Sequence, residues 1–457
     1  MTQQGVRWTT DQVLALAPDA SSRKAGSKLG AAGPWSETGT SDEGAVWGLC
    51  KGSGSKPYQT IVDTGGGPGG TGPAYKCSCP SRKFPCKHAL GLLLLWANGD
   101  IRVPDGQGPP DWAGQWLGER AKRAEAKQPA AAGPGGTATP ADPEAARRRA
   151  ERRAQRITAG AAELEQRLTD LLRGGLAQAE QAGYGLWEET AARMVDAQAP
   201  GLASRVRELG AIPASGPGWP VRLLEECALL HLLDQGWLHR AALPEDLAAT
   251  VRSRVGLPAS SKEPPLRDNW LVLSQYDTAD GHLTTRRIWL YGSESARTVL
   301  LLSFGAAGRA PSVALPTGLT VDAEIAGHPG AGALRAELGE QFSAPVPSGG
   351  RPAGVGVGQA LAAYGQALSA DPWLESWPVT LTDVIPSQSP GGGWQLADAD
   401  GKSALPIPAP AATSPGLWRL VALSGGAPVT IFGECGHTGF HPLSTWTRAS
   451  PEVISLC

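Results

Sequence analysis

The sequence predicts a multidomain α+β protein with an N-terminal ββα-like module, a central α-helical bundle and a mostly β, α+β domain at the C-terminal end. The chain has 457 residues, of which 41% are hydrophobic. That is enough for two to four domains with buried cores. Apolar residues recur at helical spacing in the middle of the chain and in short strand-like runs after it. The 60 glycines and 39 prolines indicate many turns and at least one linker.

The N-terminal domain is predicted to cover residues 1–125. Two strand-like runs, Ala45–Cys50 and Tyr58–Asp63, stand on either side of a Gly/Ser/Pro turn and predict a hairpin. A glycine-rich loop follows, and then "HALGLLLLWANGD", which predicts a short buried helix that ends at Asn98-Gly99. Residues 126–142 are rich in Ala, Pro and Gly without an apolar period, so they are predicted to form a linker.

Residues 143–258 are predicted to be helical. Asp142 followed by Pro143 is a good helix start, with an N-cap acid and a proline at the first position. Several leucines then recur three or four positions apart, as in Leu164, Leu168, Leu171 and Leu172. This spacing and the short connections predict a bundle of roughly antiparallel helices.

Residues 264–457 are predicted to form a β-rich α+β domain. The strand candidates are NWLVLSQYD, TTRRIWLYG, TVLLLSF, WPVTLTDV, GWQLAD and PVTIFG. Asp400-Gly401 between two short runs predicts a tight hairpin turn. One helix, "VGQALAAYGQALSAD", is predicted between the strands.

Composition limits the class of protein. The formal net charge is −2, so nucleic-acid binding would require a local basic patch. The start of the chain has no secretory pattern, and the apolar run Leu92–Ala97 is far shorter than the roughly 20 residues of a membrane span. Seven cysteines, mostly isolated, do not fit a secreted disulfide framework. We expect a cytoplasmic protein with reduced thiols and no membrane partner.

A cluster of metal-ligand residues lies between the hairpin and the short helix, at Cys77, Cys79, Cys86 and His88. Residues i and i+2 of a strand point to the same side, so the first two cysteines can face one ion. The other two ligands stand at a helix N-terminus, where thiolate is stabilised. Three thiolates and one imidazole suit a single tetrahedral zinc ion.

A catalytic zinc site and a redox pair are the alternative uses of such a cluster. A catalytic zinc keeps one position open for water, whereas here the protein fills all four, and no His-x-Glu stands upstream as in the zinc deaminases. A redox pair would more typically be C-x-x-C and would leave His88 unexplained. The sequence therefore predicts a structural zinc, which contributes about 10 kcal/mol to the folding of a small module.

The pattern C-x-C, a short loop, C-x-H and an apolar helix resembles the SWIM zinc finger. The segment "CSCPSRKFPCKHALGLLLL" also resembles bacterial, stand-alone proteins of that family with a long C-terminal region. The resemblance implies a zinc-bound module that recognises DNA or a protein partner. It also implies an association of the bacterial proteins with a MoxR-type ATPase and a VWA-domain protein. An adaptor of that system without nucleic-acid binding is the alternative.

Basic residues surround the ligands. They are Lys76, Arg82, Lys83 and Lys87. Contact with phosphates and simple charge balance around a site with net charge −1 are both open. A second basic run opens the helical region, with arginines at i, i+3, i+4 and i+7 of one predicted helix face. These are Arg149, Arg152, Arg153 and Arg156. They are either a second contact surface or a solvated helix face.

We found no catalytic signature. Gly401-Lys402-Ser403 resembles the end of a P-loop, but the required earlier glycine is replaced by Leu396. A loose group near the end, Cys435, His437 and His441, is better explained as a glycine-rich loop than as a metal site. Cys50 is predicted to be a buried strand residue rather than a fifth ligand. The sequence thus predicts a non-enzymatic protein, with an enzyme in the C-terminal domain as a further alternative.

Overall fold

The computed structural model describes residues 7–41, 44–52, 54, 56–65, 73–101, 108–127, 143–177, 179, 183–257, 264–280, 283–306, 311–330, 334–347, 349–447 and 451–457. The predicted linker at 126–142 lies outside the described residues, apart from its first two positions. The N-cap residue Asp142 also lies outside them. In the described part of the chain, no helix is both long and apolar enough to cross a bilayer.

The N-terminal region forms a four-stranded antiparallel sheet whose strands follow each other in chain order. Its elements are α1 Thr10–Leu14, α2 Ala20–Ser27, β1 Trp35–Thr40, β2 Ala45–Cys50, β3 Tyr58–Asp63, β4 Ala74–Cys77, α3 Lys87–Ala97 and α4 Asp111–Lys127. The predicted hairpin is present as β2 and β3, with Val46 opposite Val62. The sheet has two more strands than the predicted ββα-like module, because the polar run of β1 and the four residues of β4 carry no clear apolar alternation.

Both faces of this sheet are covered. Val46 and Val62 point to the face that packs on α3, in one buried cluster with Leu90. Trp47 and Ile61 point to the opposite face, where they contact the tryptophans of α4. The alternation of side chains along β2 and β3 therefore buries each strand on both sides.

The middle of the chain is helical. Its helices are α5 Pro143–Gly174, α6 Gly183–Asp196, α7 Pro200–Ala211, α8 Trp219–Leu238 and α9 Glu245–Arg254. The first helix begins at Pro143, as predicted. Leu164 and Leu168 are buried in the shared core of these helices, whereas Leu172, from the same predicted apolar set, is 43% exposed.

A buried carboxyl group lies between α5 and α8. The side chain of Asp234 is fully buried, and no donor reaches its two oxygens. Burial, and then the neighbouring carboxylate of Glu165, raise the pKa of Asp234 to about 9. Glu165 accepts hydrogen bonds from Gln235 and shares another with Nδ1 of His231. At neutral pH, Asp234 is therefore the protonated member of a carboxyl–carboxylate pair.

The C-terminal region contains two sheets. The first sheet has the order β10-β8-β5-β6-β7-β9, and β9 also pairs with β8. Its strands are β5 Leu266–Asp280, β6 Leu283–Gly292, β7 Thr298–Ala306, β8 Leu319–Gly327, β9 Arg335–Gln341 and β10 Val346–Pro347. The predicted strands at the start of this region are β5, β6 and β7, and the sequence reasoning missed β8 and β9.

The second sheet has the order β13-β12-β11-β14-β15-β16. Its elements are α10 Val357–Ala370, β11 Ser376–Gln388, β12 Trp394–Asp398, β13 Ala404–Pro406, α11 Ala409–Ala412, α12 Pro415–Ser424, β14 Val429–Gly436, β15 Gly439–Trp446 and β16 Val453–Ser455. The predicted turn at Asp400-Gly401 joins β12 to β13, and Gly401 has a φ of 71°, which favours glycine. The predicted helix is α10.

The first sheet connects the other parts of the molecule. Trp270 and Val272 of β5 belong to the same buried cluster as α3. Their strand neighbours Leu271 and Leu273 point the other way and pack against the second sheet. The strand β5 is therefore packed on both of its faces, by α3 on one side and by the second sheet on the other. The N-terminal sheet and helix therefore share a core with the first sheet.

Polar contacts join the helical region to the second sheet. Arg254 of α9 donates to Asp371 at 2.6 Å, and both side chains are at least half-buried. The indole N–H of Trp373 donates to the carbonyl of Leu229 at 2.8 Å. These contacts place α8 and α9 next to the segment that leads from α10 into β11.

We expect Asp234→Asn to stabilise the protein in a pH-dependent way, because asparagine keeps the shape and a donor for Glu165 but cannot ionise. The pKa of Asp234 is higher in the folded than in the unfolded chain. Its contribution to the free energy of unfolding is therefore lost as pH rises from about 4 to about 9. The gain should reach a few kcal/mol at pH 7 and approach zero near pH 4.

Urea denaturation of both proteins across this pH range measures the difference. Asp196→Asn, on an exposed position of α6, is the matched control and should show no such pH dependence. A stability difference for Asp234→Asn that is the same at pH 4 and pH 8 would contradict the assignment.

Candidate metal centre

The four predicted ligands come from three adjoining pieces of backbone. Cys77 is the last residue of β4 and pairs with Thr60 of β3. Cys86 is the N-cap of α3, with extended backbone, and the N–H of Leu90 donates to its carbonyl at 3.1 Å. A strand end, a short loop and a helix start therefore enclose one point.

The ligand atoms converge as a metal site requires. The three Sγ atoms and a ring nitrogen of His88 all lie within 4.8 Å of one another. Cys77 Sγ and His88 Nδ1 are 3.7 Å apart. Tetrahedral zinc, with bonds of about 2.3 Å to sulfur and 2.0 Å to nitrogen, requires a separation of about 3.6 Å between such atoms. Among the described residues this is the only group of three or more Cys, His, Asp or Glu side chains that could hold a metal ion.

Backbone N–H groups surround the sulfurs. The backbone N–H of Cys79 donates to Cys77 Sγ, and the backbone N–H of Ser81 donates to Cys79 Sγ. The backbone N–H of Ala89 donates to Cys86 Sγ. The hydroxyl of Thr60 lies 3.3 Å from Cys77 Sγ. Hydrogen bonds to sulfur favour the thiolate and hold it in position, as the supporting contacts of metal sites do.

The thiol pKa values show a site that needs a cation. The Cys86 thiol, followed by His88 and Thr60, lowers the pKa of Cys77 to about 3 by hydrogen bonding. The same Cys77–Cys86 contact and burial raise the pKa of Cys86, and burial raises that of Cys79. The protein alone therefore stabilises one thiolate, not three. A divalent ion would supply the missing positive charge, so this donor set fits zinc.

Two neighbours complete the surroundings of the ligands. The ring of Tyr58 lies 4.8 Å from the ring of His88, centroid to centroid, at an angle of 38°. Cys50 is fully buried opposite Tyr58, and burial, together with the charge of Cys77, raises its pKa to about 11. Cys50 is thus a buried strand residue, outside the converging group. Nothing in the local sequence pattern indicated the roles of Thr60 and Tyr58, which come from the pairing of distant strands.

The basic residues around the site divide into two kinds. Lys76, Arg82 and Lys87 are exposed, and none forms an ion pair within the part of the chain that the structure describes. Lys83 instead contacts the Asp19 carboxylate at 2.6 Å, and this contact holds the pKa of Asp19 well below its usual range. A residue 64 positions away thus neutralises Lys83, whereas Lys76, Arg82 and Lys87 have no acidic partner in the described part of the chain.

The predicted arginine face of α5 is also incomplete. Arg149, Arg152 and Arg156 are exposed. Arg153 is half-buried and donates to the carbonyl of Gly256 at 3.2 Å. The expected four-residue face is corrected to three residues, because Arg153 turns toward the end of α9.

The cysteine and histidines near the C-terminal end do not converge. Cys435 is fully buried in the core of the second sheet, in register with Phe440. His441 is exposed on the neighbouring strand, opposite Glu434. In the described residues these side chains form no metal-binding group.

Geometry and donor chemistry thus fit a zinc-binding group of the Cys3His type. Residues 73–97 match the SWIM zinc finger family, and residues 152–255 match the SWIM-associated four-helix bundle domain. The predicted resemblance is confirmed, and the two matches support a SWIM-type zinc finger protein. No curated protein and no solved structure matches the chain.

We expect Cys86→Ala to lose the bound zinc, because the three remaining ligands leave an incomplete shell. The loss should reach beyond the finger, because α3 shares a buried cluster with Trp270 and Val272. Zinc content by mass spectrometry of the purified full chain measures the first effect. Amide hydrogen exchange in α3 and β5 measures the second.

Cys50→Ala is the matched control, since it removes a nearby buried thiol that is not a ligand. It should keep its zinc at the level of the unmodified chain. Full zinc content in Cys86→Ala, or equal loss in both variants, would contradict the ligand assignment.

Proposed function

We propose that the protein is a non-enzymatic zinc-binding protein whose SWIM finger recognises DNA. The observation that carries the proposal is the group of exposed, unpaired cations beside the ligands, described above. Lys76 precedes the first ligand, Arg82 lies in the loop between ligands, and Lys87 opens α3. Because the metal ties these segments to one point, the three charges are held on a small, ordered surface. Such a surface can contact successive phosphates.

The zinc is proposed to be structural. All four coordinating positions are filled by protein side chains, so no position remains for a reacting water. When bound, the ion would supply the charge that lets three cysteines ionise together. Cys77, Cys79, Cys86 and His88 would then hold the finger loop in one conformation. A cytoplasmic location belongs to the same proposal, supported by the seven cysteines, none of which forms a disulfide.

Protein recognition is the second candidate, and one observation favours it. Phe84 lies in the same loop and is 45% exposed. Aromatic residues and arginine are both enriched at the centres of protein interfaces. The pairing of Lys83 with Asp19 also lowers the charge of the loop. On this alternative the protein is an adaptor, with a MoxR-type ATPase and a VWA-domain protein as the partners suggested by resemblance.

A salt titration separates the two candidates. If the finger binds duplex DNA, replacing Lys76, Arg82 and Lys87 with alanine should weaken binding and reduce the slope of log K against log salt by about 3. Fluorescence anisotropy with labelled duplexes of two unrelated sequences measures both quantities. Loss of similar size on both sequences would mark contact with the phosphate backbone.

The matched control removes three charges elsewhere, as Arg173→Ala, Arg252→Ala and Lys402→Ala together. It should change the slope little, because these residues lie on α5, on α9 and in the turn between β12 and β13, outside the finger. Absence of binding by the intact protein at low salt would overturn DNA recognition and leave the adaptor role.

A further inference from the structure

A cavity of about 440 Å³ lies where the helical region, the first sheet and the second sheet meet. Its walls come from α7 and α9, from β6, β7 and the start of β9, and from the segment between α10 and β11. None of its lining residues belongs to the zinc finger. Its volume and its place at a junction of structural units are typical of small-molecule sites.

The pairing of β6, β7 and β9 determines which side chains face the cavity from the first sheet. Arg287 of β6 is opposite Leu302 of β7, and Trp289 is opposite Leu300. Leu300 also pairs with Arg335 of β9. Paired residues, and residues two apart on one strand, share a face. The cavity floor is therefore an apolar strip with one arginine on either side.

The two arginines have no acidic partner among the described residues. Arg287 is half-buried in the cavity wall and Arg335 is exposed at its edge. Arg286, the chain neighbour of Arg287, differs in having a partner. It points to the opposite face of the sheet, is buried, and donates to both carboxylate oxygens of Asp277. Withdrawing a charge from water is costly unless an opposite charge meets it, so an unpaired, half-buried guanidinium beside a cavity points to an anion.

The two arginine Cα atoms are two strand spacings apart across the sheet and two residues apart along it, so about 12 Å separates them. Side chains of this length can reach one anionic group from both sides, and the guanidinium group suits phosphate and carboxylate alike. Leu300 and Leu302 lie between them.

The acidic lining residues are on the opposite side of the cavity. Asp371 is neutralised by Arg254 at 2.6 Å. Glu208 accepts a hydrogen bond from Ser204, and burial raises its pKa. Glu375 is exposed at the rim. Glu208 lies on the helical wall and Glu375 lies just before β11, whereas Arg287 and Arg335 lie on the sheet side.

We propose that this cavity binds a small organic anion. Its phosphate or carboxylate group lies between Arg287 and Arg335, and its apolar part lies on Leu300 and Leu302. Because elements of all three surrounding units line the cavity, the bound anion also ties them together. This site is independent of the zinc finger and of DNA recognition.

Calorimetric titration of the full chain with phenyl phosphate and with benzoate tests the proposal, at matched low ionic strength. The two probes share a ring and differ in the anionic group, and benzyl alcohol is the neutral counterpart. At least one anion should bind, and benzyl alcohol should not. Arg287→Gln and Arg335→Gln should each weaken the binding at least tenfold.

Arg252→Gln is the matched control, on an exposed position of α9 next to the cavity, and should leave affinity unchanged. Binding of phenyl phosphate alone would assign a phosphate ligand, and binding of benzoate alone a carboxylate. If neither anion binds at millimolar concentration, or if both arginine variants bind as tightly as the unmodified chain, the proposal is wrong. Circular dichroism checks folding, and the exposed Arg335 variant decides if Arg287→Gln does not fold.

Discussion

The convergence of four side chains on one point is the constraint on which the N-terminal half of the structure depends. Cys77 ends a strand and Cys86 caps a helix, so their meeting sets the position of α3 relative to the sheet. That helix is almost entirely buried, with Leu90, Leu92 and Leu93 inaccessible to solvent. A helix so apolar must be covered on all sides. The first sheet of the C-terminal region supplies part of that cover, which links the metal centre to residues nearly 200 positions away in the chain.

Some charged side chains of the protein are paired with an opposite charge, and others are not. The paired ones stabilise the fold, whereas the unpaired ones are candidates for ligand contact. Arg286 forms an ion pair with Asp277, and Arg254 forms one with Asp371. Both pairs join elements of the fold. Asp234 is buried without a donor and is tolerated because it stays protonated. Within the described part of the chain, Lys76, Arg82 and Lys87 beside the finger ligands, and Arg287, have no such compensation. They stand at a metal-ordered surface and at a cavity, where a ligand can supply the opposite charge.

Sequence spacing predicted the parts of the structure that local rules determine. The ligand set follows from the i, i+2 geometry of a strand and from a helix start. The hairpin of β2 and β3 and the turn at Gly401 follow from turn residues between apolar runs. The missed strand β8 does carry an alternating pattern of buried and half-buried residues, but small and charged residues interrupt it. Pairings such as Lys83 with Asp19 and Arg153 with Gly256 could not be predicted, because they join segments whose meeting depends on the whole fold.

X-ray absorption spectroscopy at the zinc edge of the purified full chain tests the central claim most directly. We expect one zinc per chain with three sulfur neighbours at about 2.3 Å and one nitrogen at about 2.0 Å, with no oxygen neighbour. Absence of zinc would contradict the ligand assignment, and so would a first shell that contains oxygen or fewer than three sulfurs. In either case Cys77, Cys79, Cys86 and His88 would not form the closed site on which the position of α3 depends.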